Sequence, residues 1–320
     1  MDKKPLISVI VPVFNEVENV RPLYQRLSAV FDGLKKRFYF EIVFTDNHSD
    51  DGTFNALAEL AETDKRIRVF RFSKNFGFQR SIMTGYLKAR GEAAIQIDCD
   101  LQDPPELIPD FLDKFEEGHD VVYGIRQLRR EGALINSMRK AFYWLIDALS
   151  DDQLPHQAGD FRLVSRRVID VMNQMDDSHP YLRGMIASFG FKQMGITYDR
   201  ASREKGKSKF SFLKLMTLAL DGILYHSLIP LRIATLTALV MATITFFGLF
   251  FYFTGNIFFG QEWPAGFATT TILLLLSITL NALFLGVIGE YLGRIYQQIK
   301  KQPLTIIEKT INLADEDGVP

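Results

Sequence analysis

The sequence predicts an α/β protein with a mostly parallel sheet and helices on both faces. An amphipathic juxtamembrane segment and two transmembrane helices are expected to follow. Three observations carry that expectation. Five short apolar, β-branched runs alternate with helical periodicity over the first 125 residues. Polar residues gather just after those runs rather than inside them. Two long uncharged runs occupy the last third of the chain.

Each element has its own signal. LISVIVPV (6–13) is continuously apolar, as in a strand buried on both faces. Val17, Val20, Leu23, Leu27 and Val30 then recur at helical spacing. YFEIVFTD (39–46) reads as a second strand, with a helix after Thr53. IRVFRF (67–72) is a third, followed by a helix to Arg90. AAIQID (93–98) is a fourth, followed by a helix opening at Pro104-Pro105, and DVVYGI (120–125) is a fifth. Strand–helix alternation of this length implies right-handed crossovers and a mostly parallel sheet. Ligands of such sheets bind at the carboxyl ends of the strands.

Composition narrows the class. The 320 residues carry 37 Lys and Arg against 38 Asp and Glu, a formal net charge of −1. A general nucleic-acid binder would be markedly basic. With 47% hydrophobic and 23% charged residues the chain is not intrinsically disordered. Its single Cys excludes an internal disulfide. The charge is unevenly spread: residues 230–290 hold only Arg232, Glu262 and Glu290. Residues 233–253 and 265–289 are uncharged, and each exceeds the ~20 residues that cross a bilayer core.

Lys205, Lys207, Lys209, Lys214 and Arg232 precede the first run, and Arg294, Lys300 and Lys301 follow the second. The short loop between the runs has no Lys or Arg, so the positive-inside bias places both termini and the first 200 residues in the cytoplasm. MDKKPLISVIVPVF has no signal-peptide core. The expected division is a catalytic domain at 1–205, an amphipathic segment at 206–229, the spans within 230–290 and a cytoplasmic juxtamembrane tail at 291–320. The expected location is the cytoplasmic membrane. Gly289 and Gly293, with Gly286 nearby, give small-xxx-small spacing that permits close helix association.

The strand ends carry the candidate chemistry. Strand one ends in Phe14-Asn15-Glu16, strand two in Asp46-Asn47-His48-Ser49-Asp50-Asp51-Gly52, and strand four in Asp98-Cys99-Asp100-Leu101-Gln102-Asp103. Asp50 and Asp103 read as turn or cap residues, Asp103 as an N-cap before Pro104. Asp98 and Asp100, with Gln102, suit a hard divalent cation, Mg²⁺ or Mn²⁺, with open positions for phosphate oxygens. Cys99 should point to the opposite face. No two glycines stand at i, i+2, and no P-loop precedes Gly206-Lys207, so dinucleotide and P-loop chemistry are disfavoured.

VIVPVFNE (9–16), FSKNFGFQRSIMTGY (72–86), DCDLQDPPE (98–106), GDFRLVSRR (159–167) and the RxxRxxGxSK pattern of Arg200, Arg203, Gly206, Ser208 and Lys209 resemble glycosyltransferase family 2. Within it they resemble the polyisoprenyl-phosphate glycosyltransferases, of the bactoprenol glucosyltransferase and dolichol-phosphate mannose synthase type. The resemblance implies a GT-A fold, a nucleotide-sugar donor, a divalent metal, inversion at the anomeric carbon and a polyisoprenyl-phosphate acceptor. It also implies homo-oligomers, with tetramers known in the family.

Carried onto this chain, the resemblance puts nucleotide-sugar contacts at Pro12, Phe14, Glu16, Asp46 and Asp98. It makes Asp160 the base beside catalytic Asp98 and Asp100, the alternative being a turn partner of Arg162. Acceptor or diphosphate contacts are expected at Arg126, Arg162, Arg200, Arg203, Ser208 and Lys209, with Arg129 either a further contact or solvated surface. Asn47 and His48 depart from the family's usual acid and glycine, and His48 is read as a loop residue. The function so implied is glucose transfer from UDP-glucose to undecaprenyl phosphate. Its alternatives are a GDP-mannose-using polyprenyl-phosphate mannose synthase and a non-catalytic membrane-anchored sugar-nucleotide binding protein. A processive polysaccharide synthase would carry QxxRW, and neither Trp144 nor Trp263 follows an Arg.

Overall fold

The structure is a computed structural model that describes residues 4–126, 158–175, 180–199, 266–300 and 302–312, with helical positions between 231 and 254. The described residues fall into two units. Residues up to 199 and 302–312 form one; residues 231–300 form the other. Arg129, Arg200, Arg203, Ser208, Lys209 and the segment 206–229 lie outside the described residues.

The first unit is built on an eight-stranded sheet. Its strands are β1 (Leu6–Val13), β2 (Tyr39–Asp46), β3 (Ile67–Phe72), β4 (Ala93–Gln96), β5 (Val121–Arg126), β6 (Ala158–Ser165), β7 (Gln193–Tyr198) and β8 (Ile307–Ile311). Their spatial order is β7-β5-β6-β4-β1-β2-β3-β8. β1 lies parallel between β2 and β4, and β2 lies parallel to β3. β6 runs antiparallel between β4 and β5, and β8 runs antiparallel on β3.

Alternation within β1 sorts the core onto two faces. Ile7, Val9, Val11 and Val13 pack with Leu23, Leu27 and Phe31 of α1 (Val17–Leu34), Leu57 of α2 (Thr53–Thr63) and Phe111 of α4 (Ile108–Glu116). Ile10 faces the other way, toward Ile82 and Met83 of α3 (Phe78–Lys88), Val168 of α5 (Arg166–Asn173) and Met185 of α6 (Leu182–Ser188). Burial of one such Val, Leu, Ile, Met or Phe side chain contributes about 1.5–3 kcal/mol. Gly85 allows α3 its approach to the sheet: a Cβ there would stand 2.2 Å from Ile10 Cγ2.

Three strands had no counterpart among the sequence's five. β6 was seen only as the GDFRL motif, β7 was missed, and β8 falls within the expected tail 291–320. Leu304 packs against the second core, and Asn312 Nδ2 donates to Ala61 O at 2.7 Å and Ile67 O at 2.9 Å.

In the second unit, the later apolar run forms α7 (Phe267–Ile299), 33 residues or about 50 Å long. Among the described residues it is the one helix long and apolar enough to cross a membrane, with mean hydropathy 1.4 over Leu276–Gly293. Leu274, Ile278, Leu285 and Ile288 are exposed along it. The described positions of the earlier run are helical, but its length lies outside the described residues. The two-span expectation is therefore met by one helix among the described residues.

Candidate active site

Register assembles the site at the carboxyl ends. Val13 pairs with Asp46, so the β1–α1 and β2–α2 loops leave the sheet side by side. Ile10 pairs with Gln96, and Gln96 pairs with Arg162 on antiparallel β6. Asp98 lies two residues beyond Gln96 and Asp160 two before Arg162, and the Asp160 charge acts on the Asp98 carboxyl.

The two loops are knitted by side-chain bonds to backbone N–H groups. Asp46 is fully buried, and its Oδ1 accepts from Ser49 N at 3.0 Å and Ser49 Oγ at 2.6 Å. Ser49 Oγ in turn accepts from Asn15 N at 3.0 Å, and Thr53 Oγ1 accepts from Glu16 N at 2.9 Å. Asn47 holds the next loop: its Oδ1 accepts from Phe76 N at 3.2 Å. Phe14 stands 46% exposed at the end of β1, free to present its ring to a ligand. Pro12 lies within β1, opposite Thr45.

Asp98 and Asp100 leave β4 half-buried, while Cys99 turns into the core as expected. Gln96 Nε2 donates to Asp98 Oδ1 at 2.8 Å, a positioning contact that sequence reading missed. Burial, followed by the charges of Asp103, Asp160 and Asp100, pushes the Asp98 carboxyl up to about 7. That concentration of negative charge is chemically suited to a cation. Leu101 bends the chain at φ 62°, and Gln102 N donates to Asp100 Oδ1 at 3.1 Å. Among the described residues no three His, Cys, Asp or Glu side chains form a ready metal cluster. A cation here would rest on the two carboxylates and on oxygens of its substrate, the usual manner for Mg²⁺.

Asp160 does not pair with Arg162. Arg183, on α6, donates to it from Nε at 2.8 Å and Nη2 at 2.7 Å. Burial alone would raise the Asp160 carboxyl, but the Arg183 bonds and the charges of Arg183, Arg162 and Arg126 hold it below the ordinary value. Arg162 is 5% exposed and donates from Nη2 to Gly159 O at 3.0 Å. The sequence hint for Arg183 is a lone charge in the short helix LRGMIAS.

Arg126 ends β5 within a second polar group. Its Nε donates to Tyr198 Oη at 3.4 Å, and its Nη2 lies 3.6 Å from Asp103 Oδ2. Tyr198 Oη donates to Asp103 Oδ1 at 2.5 Å. Asp103 is thus no N-cap: it is fully buried, and Pro104 holds the cap position. A fully buried carboxylate is better satisfied by a Tyr hydroxyl beside an arginine than by solvent-facing helix ends. Gly124 makes room, because a Cβ there would come 2.5 Å from Tyr198 Cε1.

The chain is similar to known proteins over most of its length. The Glycosyl transferase family 2 profile matches residues 8–172. An uncharacterized glycosyltransferase, YkcC of Bacillus subtilis, is 36% identical over 97% of this chain and 95% of its own. A prophage bactoprenol glucosyl transferase homolog of Escherichia coli is 36% identical over 95% of this chain and 98% of its own. The SfII prophage-derived bactoprenol glucosyl transferase of Shigella flexneri is 35% identical over the same shares. With an α/β sheet of GT-A type, acidic groups at its carboxyl edge and these matches along nearly its whole length, the chain belongs to glycosyltransferase family 2.

Proposed function

We propose that the protein transfers glucose from UDP-glucose to undecaprenyl phosphate, with inversion, at the cytoplasmic face of the membrane. The observation that carries this reading is the 35–36% identity with bactoprenol glucosyl transferases over 94–98% of both chains. In the reaction an oxygen of the lipid phosphate bonds to the anomeric carbon as the bond to the UDP oxygen breaks. Asp98 and Asp100, beside Gln102, are the proposed holders of Mg²⁺ or Mn²⁺. A divalent cation there would neutralise charge developing on the departing diphosphate.

The remaining steps fall to side chains. Pro12, Phe14, Glu16 and Asp46 border the proposed nucleoside position. Asp160, kept ionised by Arg183, orients the acceptor; a phosphate monoester with its second pKa near 6 is largely deprotonated at neutral pH and needs little help from a base. Arg126 and Arg162, with Arg200, Arg203, Ser208 and Lys209, are assigned to the phosphates. α7 anchors the enzyme in the membrane, and the glycine-spaced face at Gly289 and Gly293 is proposed to join copies into a homo-oligomer.

The test is transfer by the purified full-length protein from UDP-glucose and, separately, GDP-mannose to undecaprenyl phosphate, with and without Mg²⁺ or Mn²⁺. Expected is a glucosyl product of inverted configuration by NMR, made only with cation. Transfer from GDP-mannose alone would reassign the donor; no transfer from either overturns the reading.

A further inference from the structure

We propose that Glu308, in the strand that follows the membrane-type helix in sequence, is a positioning residue for the donor-binding loop. The proposal rests on the donor reading above and extends it to a segment far from the other site residues in sequence.

The geometry starts with a β-bulge. Arg71 pairs with Lys309 and Phe72 with Ile307, so Glu308 is the extra residue on β8. A bulge leaves one residue outside the ladder and re-aims its side chain. Glu308 Oε2 comes 3.7 Å from Arg71 Nε and 3.5 Å from His48 Nδ1. Arg71 Nε is also 3.9 Å from Asp46 Oδ2, so one guanidinium is within ion-pair distance of two carboxylates. Arg71 Nη2 also donates to Ser49 O at 3.2 Å, and the guanidinium lies 4.8 Å from the Phe54 ring.

These contacts converge on residues 46–54, the loop that carries Asp46. His48 sits at φ 64°, a left-handed conformation natural to glycine, with its Nδ1 3.0 Å from Phe72 O. Its backbone shape is thus fastened to the same β3–β8 edge. Without the Glu308 charge, Arg71 is left with Asp46 as its one acidic neighbour among these contacts. The guanidinium is then drawn toward Asp46 Oδ2, pulling on the carboxylate whose Oδ1 accepts the Ser49 bonds that set the loop. Other contacts hold the strand and the residues before it: Val69 and Phe70 pair with Ile311 and Thr310, Ser73 N donates to Ile306 O at 2.9 Å, and the Thr84 and Thr305 hydroxyl oxygens are 2.9 Å apart.

The test compares full-length wild type with Glu308→Gln, Glu308→Asp and the control Lys309→Gln. The readouts are UDP and GDP binding by calorimetry, donor KM and kcat, and the thermal midpoint. For a partly exposed ion pair the expected change in Glu308→Gln is about 3- to 10-fold in both nucleotide Kd and donor KM. Its kcat and midpoint should stay near wild type, Glu308→Asp should recover part of the affinity, and Lys309→Gln should match wild type. Unchanged affinity in Glu308→Gln overturns the proposal. So does a lowered midpoint with KM and kcat impaired together, which marks a merely structural strand contact. If the wild type binds neither nucleotide, the donor reading fails and takes the inference with it; if it binds one and Glu308→Gln binds it equally well, only the inference fails.

Discussion

Arg183 grips both carboxylate oxygens of Asp160, at 2.8 and 2.7 Å, and ties α6 to β6 at the edge of the site. A bidentate pair fixes the plane of the carboxylate as well as its charge. Arg183→Ala should therefore lower kcat by roughly 100-fold, and Arg183→Lys, which keeps one charge but not the fork, should recover only part. The Arg183 side chain is 37% exposed, so the stability loss should be about 2 kcal/mol, less than for a fully buried pair. The sign follows from Asp160, whose folded pKa is depressed. Its stabilisation is present above the unfolded value near 3.8 and is lost as pH falls through the folded value. Melting curves of wild type and Arg183→Ala should differ at pH 7 and converge on acidification. A constant difference at all pH values would mean that Arg183 acts by packing alone.

Asp98 has the opposite sign. Its folded value of about 7 exceeds the unfolded 3.8, so between those values the native state holds more protons than the unfolded chain. Stability of the cation-free protein should then fall as pH rises from ~4 to ~7. Mn²⁺ should raise the thermal midpoint more at pH 8 than at pH 5.5, because at the lower pH it competes with a proton. Asp98→Asn should flatten both dependences, and without cation it should melt above wild type at pH 8. Equal Mn²⁺ shifts at both pH values, or a variant that still responds, would refute a cation at Asp98.

Tyr198 links Asp103 to Arg126 through one hydroxyl. Tyr198→Phe removes that hydroxyl and little else, so the buried Asp103 carboxylate loses that one hydrogen bond, at a cost of about 1–3 kcal/mol. Arg126 also loses a restraint. The expected result is a drop of roughly 10-fold in kcat/KM, in keeping with an arginine held less firmly at the proposed phosphate position. Unchanged kinetics alongside a lowered melting point would confine Tyr198 to structure.

Strands β1 to β5 were legible because burial leaves β-branched apolar runs, and the polar residues after Val13, Asp46 and Gln96 marked the carboxyl edge; parallel β7, with a more exposed QMGITY sequence, was not. Antiparallel β6 and β8 were not. Asp160 and Arg162 stand in the AGDFRLVS strand like motif residues, and Glu308 and Lys309 give IEKTI a polar surface pattern. Partners were the least legible. Asp160–Arg183, Asp103–Tyr198 and Glu308–Arg71 join residues 23, 95 and 237 positions apart (308−71 for the last), and no local spacing encodes them.

At the opposite end of the sheet a charged network has a structural part to play, and its loss should separate stability from chemistry. Glu41 is 3% exposed in β2, and its Oε1 accepts from Ser8 Oγ at 2.6 Å and Arg90 N at 2.8 Å. Its Oε2 accepts from Arg90 Nη2 at 3.1 Å and from Arg68 Nη1 at 3.3 Å, and Arg68 is itself 1% exposed. β1, β2 and β3 begin here, and Gly91 N donates to Ser8 Oγ at 2.9 Å just ahead of β4. Removing one partner of a buried ion pair leaves the other charge uncompensated, which costs about 3–5 kcal/mol. Glu41→Ala should thus lower the thermal midpoint by roughly 6–10 °C. The edge that carries the proposed site lies at the far ends of the same strands, so nucleotide affinity per folded molecule should stay at the wild-type value. Calorimetric binding below the midpoint, set against the melting curve of the same sample, measures both. A variant that melts like wild type would remove Glu41 from the stabilising core, and one that loses nucleotide affinity while folded would tie the two ends of the sheet together.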